Sequence, residues 1–121
     1  MDKNRINVEI YGTKTLGLVD SGASLSCISD YLLNKLNDKQ IRLNNSEIPN
    51  IFGVGGEKHQ VMGKVSLPLS FKGVIVEYMF TVVQNLPHPL ILGDDFLRDN
   101  RANIHYLLAL YICMRAQFKW L

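Results

Sequence analysis

Asp20 is the residue in this chain best placed to do chemistry. It ends an apolar run, Thr15 to Val19, and is followed by Ser21-Gly22-Ala23-Ser24. A carboxylate held on such a tight loop has a hydroxyl and backbone N–H groups beside it, surroundings in which a carboxyl group can hold or pass a proton. The same residues also make ordinary turns, because Asp accepts from its own backbone and Gly turns freely, so Asp20-Ser21-Gly22 alone is compatible with either reading.

Other reactive side chains offer less. His59, His88 and His105 are well separated and lack the spacing of metal ligands, so surface or loop roles are expected and no metal or cofactor is implied. Ser21, Ser24 and Ser26 do not sit in a Gly-x-Ser-x-Gly elbow, and no histidine has an evident partner for a serine hydrolase. Cys27 and Cys113 belong to no CxxC or Cys/His cluster and read as two reduced, partly buried thiols of a cytosolic protein.

The elements that must position Asp20 are mostly strands. Ile6, Val8 and Ile10 alternate with Asn7 and Glu9; Gly12-Thr13-Lys14 turns the chain; and Thr15 to Val19 returns, so a hairpin delivers the Asp20 loop. Ile28, Leu32, Leu33 and Leu36 recur at helical spacing, with Ser29 or Asp30 as cap. Asn44 to Asn50 is polar and turn-like. Ile51 to Gly63 carries four glycines, and its Val54-Gly55-Gly56-Glu57 centre reads as the tip of a mobile hairpin.

Beyond it Val65, Leu67, Leu69 and Phe71 alternate, Lys72-Gly73 turns, and Val74 to Val83 forms another strand. Pro87 and Pro89 bracket a loop before Leu90-Ile91-Leu92-Gly93, and Asp94 to Asn100 reads as a short helix with acidic residues in its first turn. Asn103 to Met114 suits a final strand, although Leu107 to Leu110 would serve a helix equally well.

Length and charge narrow the possibilities. The 121 residues make one domain, 1–121, with a core at about 6–104 and an uncertain tail at 105–121. That is too short for two lobes each carrying half of a catalytic site, so any chemistry needing two equivalent groups must draw the second from another copy. The net charge of +2, from 13 Lys+Arg against 11 Asp+Glu, is scattered, which argues against nucleic-acid or membrane-surface partners. The polar start, Met1 to Arg5, gives no sign of a secretory leader, and Ile104 to Met114 is too short to span a bilayer. A cytoplasmic location is therefore expected.

Ile91-Leu92-Gly93, placed well after Asp20 with the glycine-rich segment between, shifts the balance. In these parts and their order, roughly Ile6 to Ile104, the chain resembles the retropepsins, the dimeric aspartic proteases of retroviruses and long-terminal-repeat retrotransposons. The stretch Leu86-Pro87-His88-Pro89-Leu90-Ile91-Leu92-Gly93-Asp94-Asp95-Phe96-Leu97 is similar to a retrotransposon protease or a host gene derived from one.

The resemblance implies a mostly β acid-protease fold: a closed β-barrel with a flap hairpin and one short C-terminal helix, with a second candidate helix near Ser29 to Leu36. It implies an aspartic endopeptidase, active as a homodimer with one Asp20 per subunit, acting on an extended peptide or polyprotein in the cytoplasm or within virus-like particles. Ser21 would bond across the dimer axis, and Gly22 would let the backbone approach both carboxylates and substrate. Gly22, Ala23, Ser24 and Ile91 would line the cleft, with Val54, Gly55, Gly56 and Glu57 as flap tip. Where many relatives carry an Ile-Asp-Trp-like stretch, this chain has Ile104-His105-Tyr106. The other reading of the same fold is a domesticated dimerisation or protein-binding module.

Overall fold

The structure is a computed structural model and describes residues 5–36, 41–44, 51–52, 58–101 and 104–105. Strand β1 (Arg5–Ile10) and strand β2 (Thr13–Val19) form an antiparallel hairpin. The turn is tighter than the sequence suggested: Tyr11 and Gly12, both at positive φ (47° and 79°), make it alone, and Thr13 already pairs with Ile10. Positive φ at both central residues matches the right-handed twist of the flanking strands. Lys72 and Gly73, at 47° and 84°, repeat this turn between β6 (Val61–Phe71) and β7 (Val74–Val83).

Between these hairpins lie β3 (Cys27–Ser29), α1 (Asp30–Leu36) and the short antiparallel pair β4 (Ile51–Phe52) and β5 (Lys58–His59). Ile28 is thus in a strand and not in the helix its spacing suggested. The cap is Ser29, whose hydroxyl accepts from the Leu32 N–H at 3.0 Å. After β7 come β8 (Leu90–Leu92) and α2 (Asp94–Asp99). Ile104 donates its N–H to Asn100 O at 3.0 Å, so Ile104 and His105 are helical and not the start of a strand. The rest of the expected 103–114 element lies outside the described residues, apart from those two.

Six strands close a barrel in the order β1-β2-β8-β3-β7-β6. Late in the chain, β8 inserts between β2, to which it is parallel, and β3, to which it is antiparallel. The alternating residues of β6, Val65, Leu67, Leu69 and Phe71, all point inward, where they meet Val8, Ile10, Ile28, Phe80, Val82, Leu90 and Leu92. Phe96 of α2 closes one end, edge-on to Phe71 and Tyr78. Burying each of these side chains contributes about 1.5–3 kcal/mol. Among the described residues no helix is long and apolar enough to cross a membrane.

Candidate active site

In β2 the core face is taken by Gly17 and Val19, while Leu16 and Leu18 look outward. Gly17 lies close against β8: a Cβ there would sit 3.4 Å from the side chains of both Leu90 and Leu92, in van der Waals contact with them. The parallel register pairs Leu18 with Ile91 and Val19 with Leu92, and the ladder ends where the Asp20 N–H donates to Leu92 O at 3.0 Å. On its other side Ile91 pairs with Cys27. Leu90 and Leu92 face the core, so half-buried Ile91 faces away from it, flanked by Leu18 and Cys27 in an apolar row two residues before Asp20.

Past Leu92 the backbone leaves the sheet and loops. The Ala23 N–H donates to Asp20 O at 3.1 Å, and the Gly22 N–H donates to Asp20 Oδ1 at 3.0 Å. This double turn ties the carboxylate to its own loop and leaves it partly open to solvent. A Cβ on Gly22 would lie 3.2 Å from Asp20 Oδ1, crowding the carboxylate. Ser21, Gly22 and Ser24 are exposed and Ala23 is half-buried. The loop therefore brings Asp20, Ser21, Gly22, Ala23 and Ser24 together, with Ile91 on the neighbouring strand. β4 and β5 pair antiparallel on either side of the glycine-rich centre; Val54, Gly55, Gly56 and Glu57, the expected flap tip, lie outside the described residues.

The loop is held from below by Gly93 of the Ile91-Leu92-Gly93 motif together with Ser26, Asp94 and Asp95, which the sequence did not connect with it. The Asp94 N–H donates to Ala23 O at 2.7 Å, and the Gly93 N–H donates to Ser26 Oγ at 2.9 Å. Ser26, only 1% exposed, gives its hydroxyl proton to Asp95 Oδ1 at 2.6 Å and its N–H to Asp95 Oδ2 at 3.2 Å. A Cβ at Gly93 would come within 2.7 Å of Ala23 O and 2.8 Å of Leu25 O, so only glycine fits beneath the loop. The available signal was a serine among apolar neighbours and a second aspartate after Gly93, too little to link positions so far apart.

Burial pushes the Cys27 thiol up to about 11, with the Asp95 carboxylate adding to the effect, so it is a poor nucleophile despite its place beside the loop. Burial, then the 2.7 Å bond to Asp99 Oδ2, pushes the Tyr78 hydroxyl well above the usual phenol range and keeps it a donor. Among the described residues no group of His, Cys, Asp or Glu gathers to hold a metal ion. An apolar cavity of about 400 Å³ opens on the far side of Val19 and Leu92, walled by Ile6, Phe71, Phe96, Leu97 and Ile104. Asp20 is not in its lining, and the exposure of Ser21, Gly22 and Ser24 puts the loop at the surface of the single chain.

Residues 1–105 match the retroviral aspartyl protease family. The chain belongs to that family. Among solved structures, the retroviral protease-like domain of Ddi1 from Leishmania major is similar with a TM-score of 0.68 at 18% identity, over 84% of this chain and 79% of that one. The protease of EIAV, in complex with an inhibitor, is similar with a TM-score of 0.64 at 27% identity, over 78% and 85%. A retropepsin-like aspartic protease from Rickettsia conorii gives a TM-score of 0.53 at 18% identity, over 78% and 69%. No curated protein matches the chain. The mostly strand architecture, closed six-stranded barrel and short helices are those of a retropepsin-like aspartic protease.

Proposed function

We propose that this chain is an aspartic endopeptidase that cleaves an extended peptide as a homodimer, with one Asp20 from each subunit. The observation that carries this reading is the Asp20 loop, clamped to β8 at Leu92, with Ser21, Gly22 and Ser24 exposed around the carboxylate. Two such carboxylates across a twofold axis lie too close for both to ionise, so they share a proton. The ionised carboxylate takes a proton from water, whose oxygen attacks the scissile carbonyl carbon while the protonated partner donates to the carbonyl oxygen. Collapse of the resulting gem-diol breaks the C–N bond: the amine nitrogen takes the proton that the first carboxylate gained from water, and a gem-diol hydroxyl gives its proton to the second, restoring the shared-proton pair.

Peptide main chain would be gripped as an added strand, with alternate side chains meeting the apolar row around Ile91. A retrotransposon polyprotein is the proposed natural substrate. The second reading is a domesticated dimerisation or protein-binding module with little or no proteolysis, because a fold does not by itself fix an activity.

The test is cleavage of a mixed peptide library at acidic to neutral pH, with and without pepstatin. Asp20→Asn keeps the oxygen that accepts from Gly22 N–H but removes the acid, so the dimer is expected to persist while cleavage falls by orders of magnitude. Excess Asp20→Asn chain should also poison the wild type through mixed dimers. Full activity in Asp20→Asn, or in dilute monomer, would overturn the mechanism. Dimers that cut nothing would support the binding module.

A further inference from the structure

We propose that Asp95, acting through Ser26, is a positioning residue for the Asp20 loop: it fixes the loop's exit as the β2–β8 ladder fixes its entrance. This rests on the reading of Asp20 as the catalytic carboxylate.

The protons around Ser26 can each be assigned. Ser26 Oγ accepts from Gly93 N–H, so its one proton must go elsewhere, and it goes to Asp95 Oδ1 at 2.6 Å. That same oxygen accepts Phe96 N–H at 2.7 Å, and Oδ2 accepts Ser26 N–H at 3.2 Å. Three donors converge on the Asp95 side chain, which suits a carboxylate, an acceptor at both oxygens. Ser26 O in turn accepts from Thr81 N–H at 3.0 Å, so the serine is held on three sides at 1% exposure.

Loop residues Asp20 to Leu25 span the distance between two anchors, Leu92 O and the Ser26–Asp95 pair, while the Asp94 N–H pins Ala23 O between them. An asparagine at position 95 cannot replace the carboxylate. Placed one way it sets its NH2 against Ser26 N–H; flipped, it sets it against both Ser26 O–H and Phe96 N–H. The exit anchor then loosens, and Gly22 and Ala23 move under the carboxylate they hold.

The test compares Asp95→Asn, Ser26→Ala, their double mutant and Ser26→Thr in the dimer. Misplacement of this kind is expected to lower kcat by about 100-fold in Asp95→Asn and Ser26→Ala while KM changes by less than about 3-fold. The double mutant should be no worse than either single, because both break one link. Ser26→Thr, which keeps the hydroxyl, should recover most of the rate. Hydrogen exchange supplies a readout independent of cleavage: Ala23 and Asp94 amides should exchange faster in Asp95→Asn, with β6 and β7 unchanged. Wild-type rates in Asp95→Asn, multiplying effects in the double mutant, or unchanged exchange at Ala23 and Asp94 would each overturn the proposal. If the wild type cuts nothing, the protease reading fails, and the exchange arm alone decides the role of Asp95.

Discussion

Between Val61 and Val83 the chain is held by a long antiparallel ladder, with an apolar side chain at every second position from Val65 to Phe71 packed in the barrel core. Between Asp20 and Ser26 there is no such redundancy. A few directional bonds, to Leu92 O, Asp94 N–H and the Asp95 carboxylate, and the missing Cβ of Gly93 set the position of the whole loop. Contact by apolar area degrades gradually when one residue is changed, whereas a loop hung on single hydrogen bonds moves when any one is lost. The barrel wall therefore governs whether the protein folds, and the loop governs what the folded protein does.

The strongest challenge to this division is Phe80→Ala. Phe80 is fully buried in β7, so its truncation should cost about 3–5 kcal/mol of stability, read from urea unfolding. The fraction still folded should cleave peptide at nearly the wild-type rate per molecule. A comparable loss of rate in the folded fraction would show that wall and loop are not separable.

Gly93→Ala sharpens the comparison from the other side. With the new Cβ within 2.7 Å of one backbone oxygen and 2.8 Å of another, the loop must shift, at a cost of about 1–3 kcal/mol. Here cleavage should fall further than the stability loss explains. Equal activity per folded molecule would count against the tight fit beneath the loop.

The remaining effect is absent at neutral pH and emerges only in alkali. Cys27 stands at the seam between wall and loop, and its thiol is raised from 9.0 to about 11. The unfolded chain then loses this proton first, so stability is unaffected below about pH 9 and falls as the pH rises toward 11. The loss approaches roughly 2–3 kcal/mol, from about 1.4 kcal/mol per pH unit. In a Cys113→Ser background, Cys27→Ala should flatten this part of the stability curve, leaving the decline due to Tyr78, which begins near pH 10. An unchanged slope would mean that Cys27 is not desolvated as its burial requires.

Much of the wall was legible in the sequence because one face of each strand is wet: Val65, Leu67, Leu69 and Phe71 alternate cleanly, and all four are buried. Reading was harder where both faces are covered. Cys27, Ile28 and Ser29 are all buried, so β3 shows no alternation, and Ile28 blended into the helical spacing of Leu32 and Leu36. The Asp20 loop was visible as a motif, and so was Gly93, but not the bond pattern joining them. Asp94 and Asp95 looked alike, as acids in a helix's first turn; one pairs outward with Arg98 and the other ties down Ser26. Nothing local distinguishes them, because the partner of Asp95 is brought near only by barrel closure.

The insertion of β8 between β2 and β3 also sets a timetable. Residues 17–29 provide both flanks of that slot, yet the strand that fills it is Leu90–Leu92, and Gly93 and Asp95 follow later still. Pairings between such distant parts of the chain form slowly, since the intervening segment must be ordered before the contact repays it. During synthesis the Asp20 loop therefore waits, unanchored, until some seventy further residues have left the ribosome, so the site is assembled only on a chain whose barrel strands are all in hand.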